Sequence, residues 1–171
     1  MGSSKRRLEN LFSVSSSALW LFVKARMKRK APDNWSKAME TSAWLVGSLF
    51  VVELLDFISA LSLDRFGIIP RTAPGLVGIL VSPLLHLNAA HLLANAVPLF
   101  VLLILLFADP RYHPEQTLGL IWLASGFGTW LIGRGGTIHI GASSIVYGLV
   151  AYLIASGWWM RSWRSIFVAL A

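Results

Sequence analysis

The sequence predicts an all-α fold: a polytopic membrane bundle of four transmembrane helices followed by the start of a fifth. Three observations carry this. The chain is 56% hydrophobic with a mean hydropathy of +0.65, and only 13% of it is charged, whereas soluble domains are nearer a quarter charged. Its apolar residues fall in runs close to the ~20 residues that cross a bilayer as a helix. Nine of its 15 Lys and Arg precede residue 38, ahead of the first run, which is where a cytoplasmic N-terminal segment carries its cations. That distribution, more than the net charge of +7, argues for a lipid bilayer as partner and against nucleic acid. With no cysteine in the chain, disulfides, thiolate metal sites and thiol catalysis are excluded.

Residues 1–41 read as a basic cytoplasmic segment. Leu8, Leu11, Phe12, Leu19, Phe22 and Val23 recur near helical spacing ahead of Lys24, Arg26, Lys28, Arg29 and Lys30. This pattern predicts an amphipathic helix on an anionic leaflet. A cleaved signal peptide fits less well, because serines interrupt the apolar stretch and no small-x-small cleavage site follows. Pro32-Asp33-Asn34 ends that helix. Residues 42–171 then form the membrane domain, incomplete at its end.

The first span runs from Thr41 to about Leu61. Glu53 and Asp56 lie in its outer half, where neighbours are expected to satisfy them. Residues 62–75 read as a loop. Residues 76–87, ending in Pro83 and His86, read as a re-entrant or interfacial segment. The second span covers about Asn88 to Phe107, and the third about Gln116 to Ile132. The third is rich in the small residues that let helices pack closely in lipid. The fourth apolar run opens at His139 and continues to Trp159. Ile166–Ala171 reads as a fifth helix cut short.

With the N-terminus inside, twelve Lys and Arg fall on inner segments and Arg65, Arg71 and Arg134 on outer ones, the positive-inside direction. The same alternation puts the start of the second span and the start of the fourth on the outer side. The second begins His91-Leu-Leu-Ala-Asn95, with two hydrogen-bond donors four apart on one helical face. The fourth begins Gly141-Ala142-Ser143-Ser144, and Gly141 allows a tight turn or close approach. A hydroxyl facing two side-chain donors suits acyl transfer, the donors holding the oxyanion that forms when Ser143 attacks a carbonyl. Each motif alone is also ordinary helix packing. Tyr147 lies one turn below Ser143. A stripe of Ser144, Gly148, Ala151 and Ala155 offers a second packing face. A soluble nucleophile elbow is excluded, since Ile145 takes the place of its second glycine and no strand precedes it.

Together, His91-Leu-Leu-Ala-Asn95 and Gly141-Ala-Ser143-Ser-Ile-Val-Tyr147-Gly resemble the rhomboid intramembrane serine proteases. Phe66-Gly-Ile-Ile-Pro-Arg71 and Leu84-Leu-His86 are similar to bacterial members. The resemblance covers roughly residues 42–171. It implies a six-helix core that cleaves other transmembrane helices near the membrane surface. It makes Ser143 the nucleophile, and makes His91, Asn95 and the Ser143 backbone N–H the oxyanion hole. Tyr147 matches a ring packed on the catalytic histidine, and His86 a structural or water-organising histidine. Two departures stand out: Ser144 replaces the family's usual glycine, and the family's base, a histidine on the sixth helix, is not found within residues 1–171. A serine hydroxyl is a poor nucleophile without a base.

The expected activity is therefore that of an intramembrane serine endopeptidase. It would act on transmembrane protein substrates in the cell membrane, through a Ser–His dyad whose histidine lies beyond residue 171. No metal or cofactor is called for. The alternative is an inactive rhomboid-like protein that binds transmembrane helices. An ion carrier built on Glu53 and Asp56 lacks acidic partners on other helices.

Overall fold

The computed structural model describes residues 34–59 and 62–159. The amphipathic helix expected before Asn34 and the fifth helix expected at 166–171 lie outside the described residues. Five α-helices follow one another: α1 (Asn34–Ser59), α2 (Ala73–Val81), α3 (Ala89–Ala108), α4 (Pro114–Ile132) and α5 (Ser143–Trp159). Short 3-10 turns occupy Leu63–Phe66, Ser82–Leu84 and Pro110–Tyr112. The all-α bundle read from the sequence is the fold observed among the described residues.

The core follows from helical periodicity. On α1 the buried residues are Ala38, Ser42, Val46 and Leu49, one stripe at spacings of four and three. On α5 they are Ile145, Leu149, Leu153 and Gly157, four apart throughout. Both stripes close on α3, where Leu99, Leu102, Leu103 and Leu106 are buried. The opposite surfaces are apolar too: Trp44 is 75% exposed and Phe57 84%. Helices that are apolar on every side belong in lipid. By length and composition, α1 and α3 can each cross a bilayer.

Three boundaries differ from the sequence reading. The first helix starts at Asn34 rather than Thr41, because the polar turn Trp35–Glu40 continues the helix outside the apolar run. Residues 62–75 are not all loop, since Leu63–Phe66 forms a 3-10 turn and α2 already begins at Ala73. There Thr72 caps α2 by accepting from Gly75 N at 3.1 Å, with Pro74 in the first turn, where its missing N–H costs nothing. The last helix starts at Ser143, not at His139. His139 instead forms an isolated antiparallel bridge with Ile68.

The segment from Leu63 to Leu85 lies against α4 and the loop after it. Gly67 and Gly78 make this possible. A Cβ on Gly78 would stand 2.4 Å from the Gly67 carbonyl, and one on Gly67 would stand 2.4–2.7 Å from Ile138, His139 and Ile140. Arg71 fixes the outer end. Its backbone lies in the left-handed region at φ 59, which is uncommon for a residue with a side chain. Its N–H donates to Trp130 O at 3.0 Å. Its guanidinium Nη1 donates to the Leu131 and Gly133 carbonyls, both at 3.0 Å. These are orphan carbonyls at a helix C-terminus, where a cation is also favoured by the dipole. Trp130 Nε1 returns a bond to Thr72 O at 2.8 Å. Arg71→Ala is expected to cost about 1–2 kcal/mol of stability, read as a lowered melting temperature in detergent.

At the other end, Asp109 caps the Pro110–Tyr112 turn through Arg111 N at 3.1 Å. Tyr112 is buried, and its carbonyl accepts from Thr117 Oγ1 at 2.6 Å and from Tyr152 Oη at 3.2 Å. One carbonyl thereby ties the α3–α4 turn to α5. Asp56 meets the expectation of a local partner, accepting from Leu63 N at 2.9 Å. On α5, Gly148 packs on Ile121, while Ala151 and Ala155 are exposed. Of the predicted small-residue stripe, Gly148 is thus the member shown packed within the described residues.

Candidate active site

The site is built where the N-terminal ends of α3 and α5 meet. Asn88 begins α3 by accepting from His91 N at 2.9 Å, an N-cap that fixes the turn carrying His91. One turn on, Asn95 is buried and its Nδ2 donates to the His91 carbonyl at 2.8 Å. A carboxamide has two N–H donors, so this bond orients the amide and leaves a second donor.

The loop before α5 comes to these residues through Gly141. Its φ is +104, and a Cβ there would lie 2.8 Å from His91 Cε1, 2.9 Å from His91 Nε2 and 3.7 Å from Asn95 Nδ2. Only glycine combines that backbone angle with that approach. Gly141 N donates to Ser82 O at 2.9 Å, which hangs the loop on the 3-10 turn after α2. Two residues later Ser143 opens α5. It is half-buried and borders a cleft of about 250 Å³, lined also by Ile68, Ser82, His139 and Tyr147. His91 and Asn95 reach Gly141 but do not line this cleft. Tyr147 is 74% exposed and stands on the cleft with Ser143.

His86 is buried 5.3 Å from His91, ring centroid to centroid, edge to face. Neither ring nitrogen has a hydrogen-bond partner among the described residues. Burial, then the neighbouring His91, pull its pKa from the usual 6.5 to about 4. The folded protein therefore holds this ring neutral where the unfolded chain would protonate it. Its contribution to stability is complete above about pH 6.5 and is lost as the pH falls towards about 4. His86→Leu is expected to flatten the decline of melting temperature between those two values. An unchanged pH profile would remove His86 from this role.

The chain's four histidines are all placed. His86 and His91 stand on the α3 side. His113 stands at the opposite end of the bundle, just before α4. His139, whose position the sequence left open, has Nε2 3.1 Å from Thr137 Oγ1 and 3.4 Å from Arg134 O, within its own loop. No described side chain makes a hydrogen bond to Ser143. Among the described residues, no cluster of His, Asp and Glu could hold a metal.

Sequence reasoning missed the part played by the segment before α3. The Ile68–His139 bridge and the Ser82–Gly141 bond are made by backbone, which leaves no residue-type signature. The glycines at 67 and 78 were the one available signal.

Comparison with known proteins places these features in a wider set. A family model described as Rhomboid domain matches residues 74–170. An uncharacterized protein of Mycobacterium tuberculosis is 38% identical over 142 residues, which is 80% of this chain and 59% of that protein. An uncharacterized protein of Mycobacterium leprae is 36% identical over 132 residues, or 69% of this chain and 53% of that protein. The chain thus spans between about half and three-fifths of the length of these relatives. No solved structure matches it.

Proposed function

The chain belongs to the rhomboid family, and from that membership we propose that it carries the nucleophile and oxyanion side of an intramembrane serine endopeptidase. The observation that carries the reading is the approach of His91 and Asn95 to Gly141, within 4 Å of its missing Cβ. It joins the two motifs at one end of the bundle, two residues from Ser143.

In this reading a transmembrane segment of another protein enters the cleft beside Ser143 and Tyr147. The Ser143 hydroxyl loses its proton to a histidine base supplied from outside residues 1–171 and attacks the scissile carbonyl. The Ser143 backbone N–H stabilises the tetrahedral oxyanion, joined on substrate binding by the spare Asn95 N–H and the His91 ring, which stand against Gly141 at the edge of the cleft. Donors of this kind are typically worth about 3–4 kcal/mol each in the transition state. The amine leaves with the proton, and water then hydrolyses the acyl-enzyme. Every step is acid–base and nucleophilic chemistry, and none requires a metal or cofactor. The outer-facing site and cytoplasmic N-terminus follow from the charge asymmetry of the sequence.

A second reading has its own observation in favour. None of the chain's four histidines is hydrogen-bonded to Ser143, which favours an inactive relative that binds transmembrane helices. The full-length natural protein distinguishes the two. Reconstituted with a single-span substrate of unstable transmembrane helix, the protease yields two fragments cut near the membrane surface. An intact substrate that still copurifies with the protein establishes the inactive, helix-binding reading.

A further inference from the structure

At the end of the bundle away from Ser143, α1 begins beside the α3–α4 turn. A pocket of about 370 Å³ opens there, lined by Asn34, Lys37, His113 and Glu115 among others. Thr41, Phe107 and Glu115 are shared with a larger groove of about 670 Å³. That groove rises between α1 and α4 and is walled by Leu45, Leu118, Gly119 and Trp122, with Leu80 of α2 at its upper end. The two spaces adjoin, a polar pocket at the end of the bundle and a mostly apolar groove running from it between α1 and α4.

Their dimensions and charges select an occupant. From Asn34 to Leu45 they follow α1 for about 16 Å at 1.5 Å per residue. That is close to half of the ~30 Å hydrocarbon core, or one leaflet. Lys37 and Glu115 both line the polar pocket, yet neither forms an ion pair with a described residue. Both are exposed at this pocket, and a cation and an anion without an ion-pair partner among the described residues match a headgroup carrying both signs. Gly119 forms part of the wall, and a Cβ there would meet nothing within 4 Å. The space over it is thus open to a chain that is not protein.

We propose that the pocket and groove together are a binding site for one zwitterionic phospholipid whose headgroup ends in a primary ammonium, phosphoethanolamine in class. Lys37 and Asn34 take the phosphate, Glu115 takes the ammonium, and one acyl chain lies over Gly119 between Leu45 and Leu118. The proposal is independent of proteolysis, since it uses none of the residues around Ser143.

Native mass spectrometry of the full-length protein tests it, with phosphatidylethanolamine, phosphatidylcholine and phosphatidylglycerol offered in equal amounts. One retained phosphatidylethanolamine is expected, held at least about fivefold over the other two. Gly119→Phe puts a ring into the groove from a position where a Cβ meets nothing within 4 Å, and phenylalanine exceeds glycine in helix propensity, so it should abolish the retained lipid while the melting temperature of delipidated protein holds. Glu115→Gln should remove the preference for the ammonium headgroup, and Lys37→Gln should weaken retention of all three. Equal retention of the three lipids, or a signal unchanged in Gly119→Phe, would overturn the proposal. So would retention lost only when residues 1–33 are present, which would make that segment the occupant.

Discussion

On the proposed mechanism, in which Ser143 is the nucleophile, Ser143→Ala in the full-length protein is expected to lower cleavage of a transmembrane substrate by at least about a thousandfold, although Ser82, Thr129, Ser144 and Tyr147 border the same cleft. Removing the nucleophile of a serine hydrolase leaves only what binding and the oxyanion donors supply. Ser144 is adjacent, but on a helix the next residue points about 100° away. The same change should leave folding intact. Ser143 is half-buried and makes no hydrogen bond to a described side chain, so its melting temperature should move by no more than a surface substitution moves it, within about 0.5 kcal/mol. Loss of activity with stability retained is the expected pair of results. Cleavage surviving in Ser143→Ala would remove this residue from the mechanism.

Gly141→Ala is expected to damage both properties. At φ +104 a Cβ is strained whatever surrounds it, and here it would also meet His91 Cε1 at 2.8 Å. Strain and overpacking each cost about 1–3 kcal/mol, so a loss of about 2–6 kcal/mol should appear in thermal unfolding. Activity should fall with it, because the His91 ring must move off the position from which, in the proposed mechanism, it donates. The clash is with one side chain, which makes it testable by a cycle. In a His91→Ala background the steric part of the Gly141→Ala cost should disappear and only the backbone part remain. Strictly additive effects would show that His91 does not press on Gly141.

The contrast between these two positions mirrors what the sequence could and could not reveal. That the turn of His91 and Asn95 and the turn of Gly141 meet at one end of the bundle was legible, because polar residues are unusual at membrane depth and their spacing marks helix faces. The stripes of α1, α3 and α5 were legible for the same periodic reason. What pulls the two motifs together was not. Gly141 was recognisable as a permissive residue, but its partner, Ser82, contributes only a carbonyl. Arg71 read as an outer-loop cation, with nothing in its neighbours to indicate that it caps a helix sixty residues later. The start of α1 was placed too late because hydropathy marks where lipid begins, whereas a helix can continue into water on propensity alone.

The pairing of Ile68 with His139, two bonds of 2.9 Å made in both directions, bears on how the loop before α5 can move. Parting these residues strands two amides and two carbonyls together. In a hydrocarbon surrounding each stranded group costs several kcal/mol, and water is the one solvent that compensates. Parting the pair therefore needs water to take up the freed groups, so any opening of this loop is coupled to hydration of the cleft that Ile68 and His139 line.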